Sequence, residues 1–117
     1  MAASLVIYKI ATAAEWNRAT AAGRYAGSAD DHRDGFIHLS SAAQLAGTLE
    51  RHFATKKNLV LIAFRTGDLR AALKWEASRG GELFPHHYGP LDPASALWVR
   101  PIGDAGDNRL PPLEPGP

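Results

Sequence analysis

The stretch Asp34-Gly35-Phe36-Ile37-His38-Leu39-Ser40 sets one imidazole in the middle of an apolar strand. Successive side chains of a strand point to opposite faces, so Phe36 and His38 share one face and Ile37 and Leu39 the other. The Ile37/Leu39 face is the core candidate. His38 then looks out of the opposite face with Phe36 and Ser40. A second polar island, from Trp75 to Gly89, carries Glu76, Ser78, Arg79, Gly80, Gly81, Glu82, His86 and His87. Ionisable groups flanked by apolar residues and glycines are either costly structural pairs or a working site.

The surrounding pattern mixes strands and helices. Leu5 to Ile10 is short, apolar and β-branched, which predicts a buried strand. Thr12-Ala13-Ala14-Glu15 has the spacing of a capping box and opens a helix to about Ala22, with Gly23 placed to end it. Arg24 to Asp34 reads as a polar loop, tied down by Asx turns at Asp30, Asp31 and Asp34. After the Phe36 to Leu39 strand, Ser41-Ala42-Ala43-Gln44 is a second capping box, opening a helix to about Ala54. Leu45, Leu49 and Phe53 recur at helical spacing and mark its inner face. Asn58 to Phe64 is the clearest strand. Asp68 caps a short turn to Ala72. Leu73 to Ala77 and Glu82 to Phe84 bracket a hairpin connection, Ser78-Arg79-Gly80-Gly81. Pro85 restricts the second arm to a sheet edge or a strand end. Ala96 to Ile102 is the last strand. This order is α+β, with helices packed on a mixed or antiparallel sheet, rather than the regular alternation of a doubly wound fold.

At 117 residues the chain is one domain's worth. Residues 1–102 are expected to form a single globular domain, and 103–117, rich in Pro, Gly and Asp, a mobile C-terminal tail. Thirteen Lys and Arg against twelve Asp and Glu leave a net charge of +1. That near balance argues against a dedicated nucleic-acid binder, which needs a surplus of cations on one face. There is no cysteine, which excludes disulfides and thiolate catalysis and fits a cytoplasmic setting. The apolar runs are too short for a membrane span or a signal peptide. The histidines lack metal-ligand spacing, so no metal site is expected.

Several residues are candidates for chemistry. His38 either hydrogen-bonds a neighbouring backbone carbonyl or orients a ligand near neutral pH. Ser40 either shares that ligand or caps the following helix. Arg79 is a turn arginine or, beside two glycines that let backbone approach closely, a clamp for pyrophosphate or carboxylate. Glu76 is a catalytic carboxylate or the partner of Arg79 in an ion pair. Ser28, after Gly27, ties the loop or offers its N–H to an anion. Of His86 and His87, which point to opposite faces, one is expected against Tyr88 and the other exposed. Tyr8, Tyr25, Trp75 and Phe84 are core aromatics or ring-stacking platforms.

From Leu5 to Arg100 these motifs resemble one family. Ile7-Tyr8-Lys9-Ile10, Trp16, Gly23-Arg24-Tyr25-Ala26-Gly27-Ser28, Asp34 to Ser40, Trp75-Glu76, Ser78 to Gly81 and Phe84 to Leu91 are similar to the small, mostly bacterial proteins called domain of unknown function 952. That family resembles in fold the ADP-ribosyltransferase superfamily and, more distantly, its tRNA 2′-phosphotransferases. Tyr8-Lys9 stands where those enzymes have Tyr-His, and Phe36-Ile37-His38-Leu39-Ser40 where they have His-Val-His-Leu-Ser. Lys9 and Phe36 therefore replace histidines of that pattern, while His38 and Arg79 match.

The resemblance implies an ADP-ribosyltransferase-like fold: a split pair of small sheets, two main helices and a cleft between. It implies binding of a nucleotide-type small ligand, NAD or an ADP-ribose derivative, with ADP-ribosyl or phosphoryl transfer. Tyr8, Lys9, Ser28, His38, Ser40, Arg79 and His86 are then the binding residues. His38, Glu76 (or Glu82) and Arg79 are the catalytic candidates. A fold does not fix a function. The alternative is a sensor or interaction module that keeps the cleft without turnover, which Lys9 in place of histidine favours. A hydrolase with His38 as base ranks last, because no Gly-x-Ser-x-Gly elbow is present.

Overall fold

The computed structural model of the chain describes residues 5–103 and 109–113. Strand β1 (Val6–Thr12) runs into helix α1 (Ala13–Ala22), and the capping box works as the residue types require. The Thr12 hydroxyl accepts from the Glu15 N–H at 3.1 Å, and the Glu15 carboxylate accepts from the Thr12 N–H at 3.3 Å. Gly23 closes α1 at φ 74°, a left-handed conformation that favours glycine.

The next segment departs from the polar loop expected between Arg24 and Asp34. Ala29–Asp34 is a short helix, α2. Its cap is Ser28, whose hydroxyl accepts from the Asp31 N–H at 3.2 Å, while Asp31 returns a bond from the Ser28 N–H at 2.9 Å. An aspartate here does the work of the glutamate in the usual capping box, which is why the pattern passes for Asx turns.

Strand β2 (Ile37–His38) follows, then the second capping box at Ser41 and Gln44, a single helical turn, and helix α3 (Leu45–Phe53). Then come β3 (Leu59–Arg65), the short helix α4 (Thr66–Leu69), β4 (Leu73–Ala77), β5 (Leu83–His87) and β6 (Trp98–Ile102). The strands form two antiparallel three-stranded sheets, ordered β1-β3-β6 and β2-β5-β4. The sheets meet where Tyr8 and Ser40 exchange backbone hydrogen bonds of 2.8 and 2.9 Å.

Central strand β3 is buried on both faces and divides the core in two. Ile62 and Phe64 pack with Ile7, Ala11, Trp16 and Ala19 under α1. Leu59, Leu61 and Ala63 pack with Tyr8, Ile10, Leu45 and Leu49 under α3. Within residues 103–117, expected as a mobile tail, the described part 109–113 lies against this second cluster through Leu110 and Leu113. There Arg100 donates to the Pro112 carbonyl at 2.8 Å.

Pro85 corrects a second expectation. It lies inside β5, the middle strand of its sheet, opposite Trp75. Leu39 N–H donates to the Pro85 carbonyl at 3.1 Å, and the proline has no N–H to return. The ladder to β2 ends there, so β2 is only two residues long. Among the described residues no helix is long and apolar enough to cross a membrane.

Candidate functional site

His38 of the first polar island converges with Lys9 and Ser28 on Asp31. Its side chain is 2% exposed, and four donors surround it. Oδ2 accepts from Lys9 Nζ at 2.9 Å and the Ser28 N–H at 2.9 Å. Oδ1 accepts from the His38 N–H at 3.0 Å and lies 2.6 Å from His38 Nδ1. Burial alone would raise the carboxyl. The bonds from His38, the Lys9 charge and the Ser28 N–H outweigh it and hold Asp31 well below the usual carboxylate range.

Lys9 reaches this position because it alternates with the core residues Ile7 and Ala11 on one face of β1. Its ammonium also donates to the His38 carbonyl at 3.2 Å and lies 5.9 Å from the centre of the Tyr25 ring. Tyr25 is raised by burial and by the charges of Asp31 and Glu15. Its hydroxyl is buried and has no hydrogen-bond partner among the described residues. Tyr25→Phe is therefore expected to leave stability unchanged or raise it by about 1 kcal/mol, since an unsatisfied buried hydroxyl costs about that much. A urea-unfolding comparison checks this, and a loss above about 1 kcal/mol means that the hydroxyl has a partner.

His38 faces away from Ile37 and Leu39, both buried. Its Nε2 lies 2.9 Å from Asp34 Oδ2. Ionised carboxylates only accept, so the contacts to Asp31 and Asp34 are both hydrogen bonds when both ring nitrogens carry protons. Arg33 braces Asp34 at 2.9 Å and holds its carboxyl low, with His38 adding to the effect. The residues read as loop acids thus orient both edges of the imidazole.

The second polar island arrives through the register of β2 and β5, which sets His38 directly opposite His86. Their ring centroids are 5.8 Å apart. His86 is 4% exposed, and Phe36 stacks on it at 3.8 Å and 19°. His86 Nδ1 lies 2.8 Å from Glu76 Oε1, and the Tyr88 hydroxyl donates to the same oxygen at 2.7 Å. Those bonds, Tyr88's first and then His86's, lower the Glu76 carboxyl, and Glu76 in turn raises Tyr88. Glu76 is therefore engaged by His86 and Tyr88, while the alternative ion pair with Arg79 involves a side chain outside the described residues. One of the adjacent histidines is expected to be exposed, but both are buried, and His87 Nδ1 lies 2.8 Å from the Gly89 carbonyl.

A cleft of about 190 Å³ opens between these groups. Tyr8, Lys9, Ser28, His38, Ser40 and His86, all named from the sequence, line it, together with Asp31, Asp34, Thr48, His52, Ser78 and Phe84. Ser40 is buried, with its hydroxyl 3.0 Å from that of Thr48. The Tyr8 ring packs on Trp98 at 5.9 Å. Arg79 begins the tight turn after Ser78, with Gly80 and Gly81 at φ 66° and 81°. Its side chain lies outside the described residues, so its convergence with His38 stays an expectation. Glu82 is exposed. Among the described residues no group of three or more His, Asp or Glu is arranged to hold a metal ion.

Sequence reasoning missed the central place of Asp31 and the stacking of Phe36. The signal for Asp31 was present as Ser28-x-x-Asp31. The signal for Phe36 was its shared face with His38, but its partner His86 comes from another strand.

The profile of a family described as "Protein of unknown function (DUF952)" matches residues 10–99. The chain is also similar to the crystal structure of protein CC0527 from Caulobacter crescentus, at 47% identity and TM-score 0.82, covering 86% of this chain and 90% of that one. The solution structure of the same Caulobacter crescentus protein matches at 46% identity and TM-score 0.74, covering 86% and 89%. No curated protein matches the chain.

Proposed function

The chain belongs to the family described as protein of unknown function DUF952, and we propose that it binds a nucleotide-type small ligand, NAD or an ADP-ribose derivative, in the cleft lined from both sheets. The observation that carries this reading is the placement of His38 and His86 as register partners on the cleft wall, each fixed by a carboxylate. Two oriented imidazoles beside the buried hydroxyl of Ser40 suit a ligand rich in hydroxyls and ring nitrogens, such as a ribosyl group. The split pair of antiparallel sheets agrees with the ADP-ribosyltransferase-like resemblance, from which the nucleotide class is taken.

Size limits how such a ligand sits. Clefts that bury a whole drug-sized ligand hold roughly 300–1,000 Å³. At about 190 Å³ this one admits the ribosyl end, and the rest of the ligand crosses the rim. In this reading Arg79, on the turn after the cleft residue Ser78, holds pyrophosphate outside. Lys9 acts through Asp31 and the His38 carbonyl.

Thermal-shift titration with NAD, ADP-ribose and AMP tests it. A ligand at one hundred times its Kd adds about 2.7 kcal/mol, which raises Tm by several degrees. The expected result is a saturable rise with NAD or ADP-ribose that His38→Ala and Arg79→Ala each weaken at least tenfold in affinity, about 1.4 kcal/mol. No shift with any of the three nucleotides overturns the reading. The locked Lys9–Asp31 pair, standing where the resemblance implies a histidine, favours a second reading of binding without turnover. Saturable binding with no nicotinamide release supports that one.

A further inference from the structure

We infer that His86, held by Glu76, is the proton-accepting group of the cleft, and that the reaction it serves is attack by water on the ribosyl carbon of an NAD-type ligand. This rests on the ligand class proposed above. The geometry separates the two histidines by what each has left to offer. His38 has one carboxylate at each ring nitrogen, Asp31 at 2.6 Å and Asp34 at 2.9 Å, so it takes a proton from a ligand only by breaking one of those contacts. His86 has a carboxylate at Nδ1 alone. An ionised Glu76 accepts only, which places a proton on Nδ1 and leaves the Nε2 lone pair as the basic site. Nε2 carries no hydrogen bond among the described residues, although the side chain is 5% exposed. An imidazole in the cleft wall with Nδ1 committed to Glu76 and Nε2 uncommitted is placed to meet something that enters.

The supports of this ring are themselves fixed. Phe36 stacks on one face, and Tyr88 holds the Glu76 oxygen that His86 uses. Glu76 lies outside the cleft lining, and its Oε1 is taken by His86 and Tyr88, so it is a positioning residue. That revises the sequence expectation of Glu76 as the carboxylate that touches ligand. The step balances without another co-reactant. Nε2 takes one proton from water, and the freed oxygen pair bonds to the ribose carbon. The bond from that carbon to the nicotinamide nitrogen breaks, and its electron pair stays on the ring, which leaves as neutral nicotinamide. The proton on His86 passes to solvent, and Glu76 stays ionised throughout.

The basicity of Nε2 is testable without the natural ligand. Diethyl pyrocarbonate acylates unprotonated imidazole nitrogens, and peptide mass spectrometry reads each histidine separately. In the intact chain His86 is expected to react, and ADP-ribose to protect it. Glu76→Gln keeps an oxygen for Nδ1–H but removes the charge, and is expected to slow acylation of His86 about tenfold with exposed His32 unchanged. Tyr88→Phe, which leaves the carboxylate in place, slows it less. An equal rate at His86 in wild type and Glu76→Gln, or no reaction at His86 while His32 reacts, overturns the inference. At saturating NAD, His86→Asn is expected to lose nicotinamide release by at least a hundredfold, while its thermal-shift affinity falls no further than that of His38→Ala. Unchanged release in that variant also overturns it. Absence of any NAD shift in wild type instead defeats the ligand class, and the acylation rates still decide whether Glu76 makes His86 basic.

Discussion

Asp31→Ala is expected to cost about 3–5 kcal/mol, the usual loss when one partner of a buried ion pair is removed. The substitution strands Lys9, which is 3% exposed, and also leaves the Ser28 and His38 N–H groups without their acceptor. With a urea slope of about 1–3 kcal/mol per molar, the midpoint falls by about 2 M. A loss below about 1 kcal/mol would show that the pair is solvated in solution. Lys9→Met combined with Asp31→Leu should recover the part of the loss due to the uncompensated charge, while the Ser28 and His38 N–H groups still lack an acceptor. The same carboxylate sets an acid limb. Its folded value lies below the ordinary 3.8, so its stabilisation is present above that pH and disappears as pH falls through the folded value. Wild type should therefore lose stability below about pH 4, and Asp31→Asn should show a flatter profile there.

Gly27→Ala is expected to cost about 3 kcal/mol, combining backbone strain of about 1–3 kcal/mol with a steric collision. Gly27 sits at φ 113°, and a Cβ there would meet the Asp31 Cβ at 2.8 Å and its Oδ2 at 3.3 Å. The Asp31 Cβ is fixed to the backbone of α2 and cannot rotate away, so the added methyl pushes the carboxylate off Lys9 and His38. Gly23→Ala is the control. It shares a positive φ of 74°, but nothing lies within 4 Å of the added Cβ. Its cost should stay near the 1–2 kcal/mol of a left-handed non-glycine residue. Equal costs at the two positions would mean that the close approach to Asp31 carries no energy. The difference in urea midpoint measures it directly.

Local patterns were legible because they need only neighbours in sequence. Thr12 with Glu15, Gly23 as the stop, and the spacing of Leu45 and Leu49 each state a structure within a few residues. The alternation around His38 gave its direction, since Ile37 and Leu39 had to be buried together. Helix α2 was missed because aspartate at the third helical position is a rarer capping partner than glutamate. Pro85 was misplaced because its missing N–H argues against a middle strand only where a neighbouring strand asks for it, and β2 has ended there. Which cation answers Asp31 was not readable. Lys9 alternates with core residues on a strand, a place where a lysine has no partner in its own segment.

Alternation and capping, written in the chain, determined an α+β domain with an imidazole turned out of its strand. Tertiary structure decided that Lys9 neutralises Asp31, that His38 is spent on two carboxylates, and that His86 faces it with one nitrogen in hand. The physical reason is range. Backbone periodicity acts over a few residues, whereas the strand register that pairs His38 with His86, and the burial that makes a single carboxylate decisive, exist only once the sheets have formed.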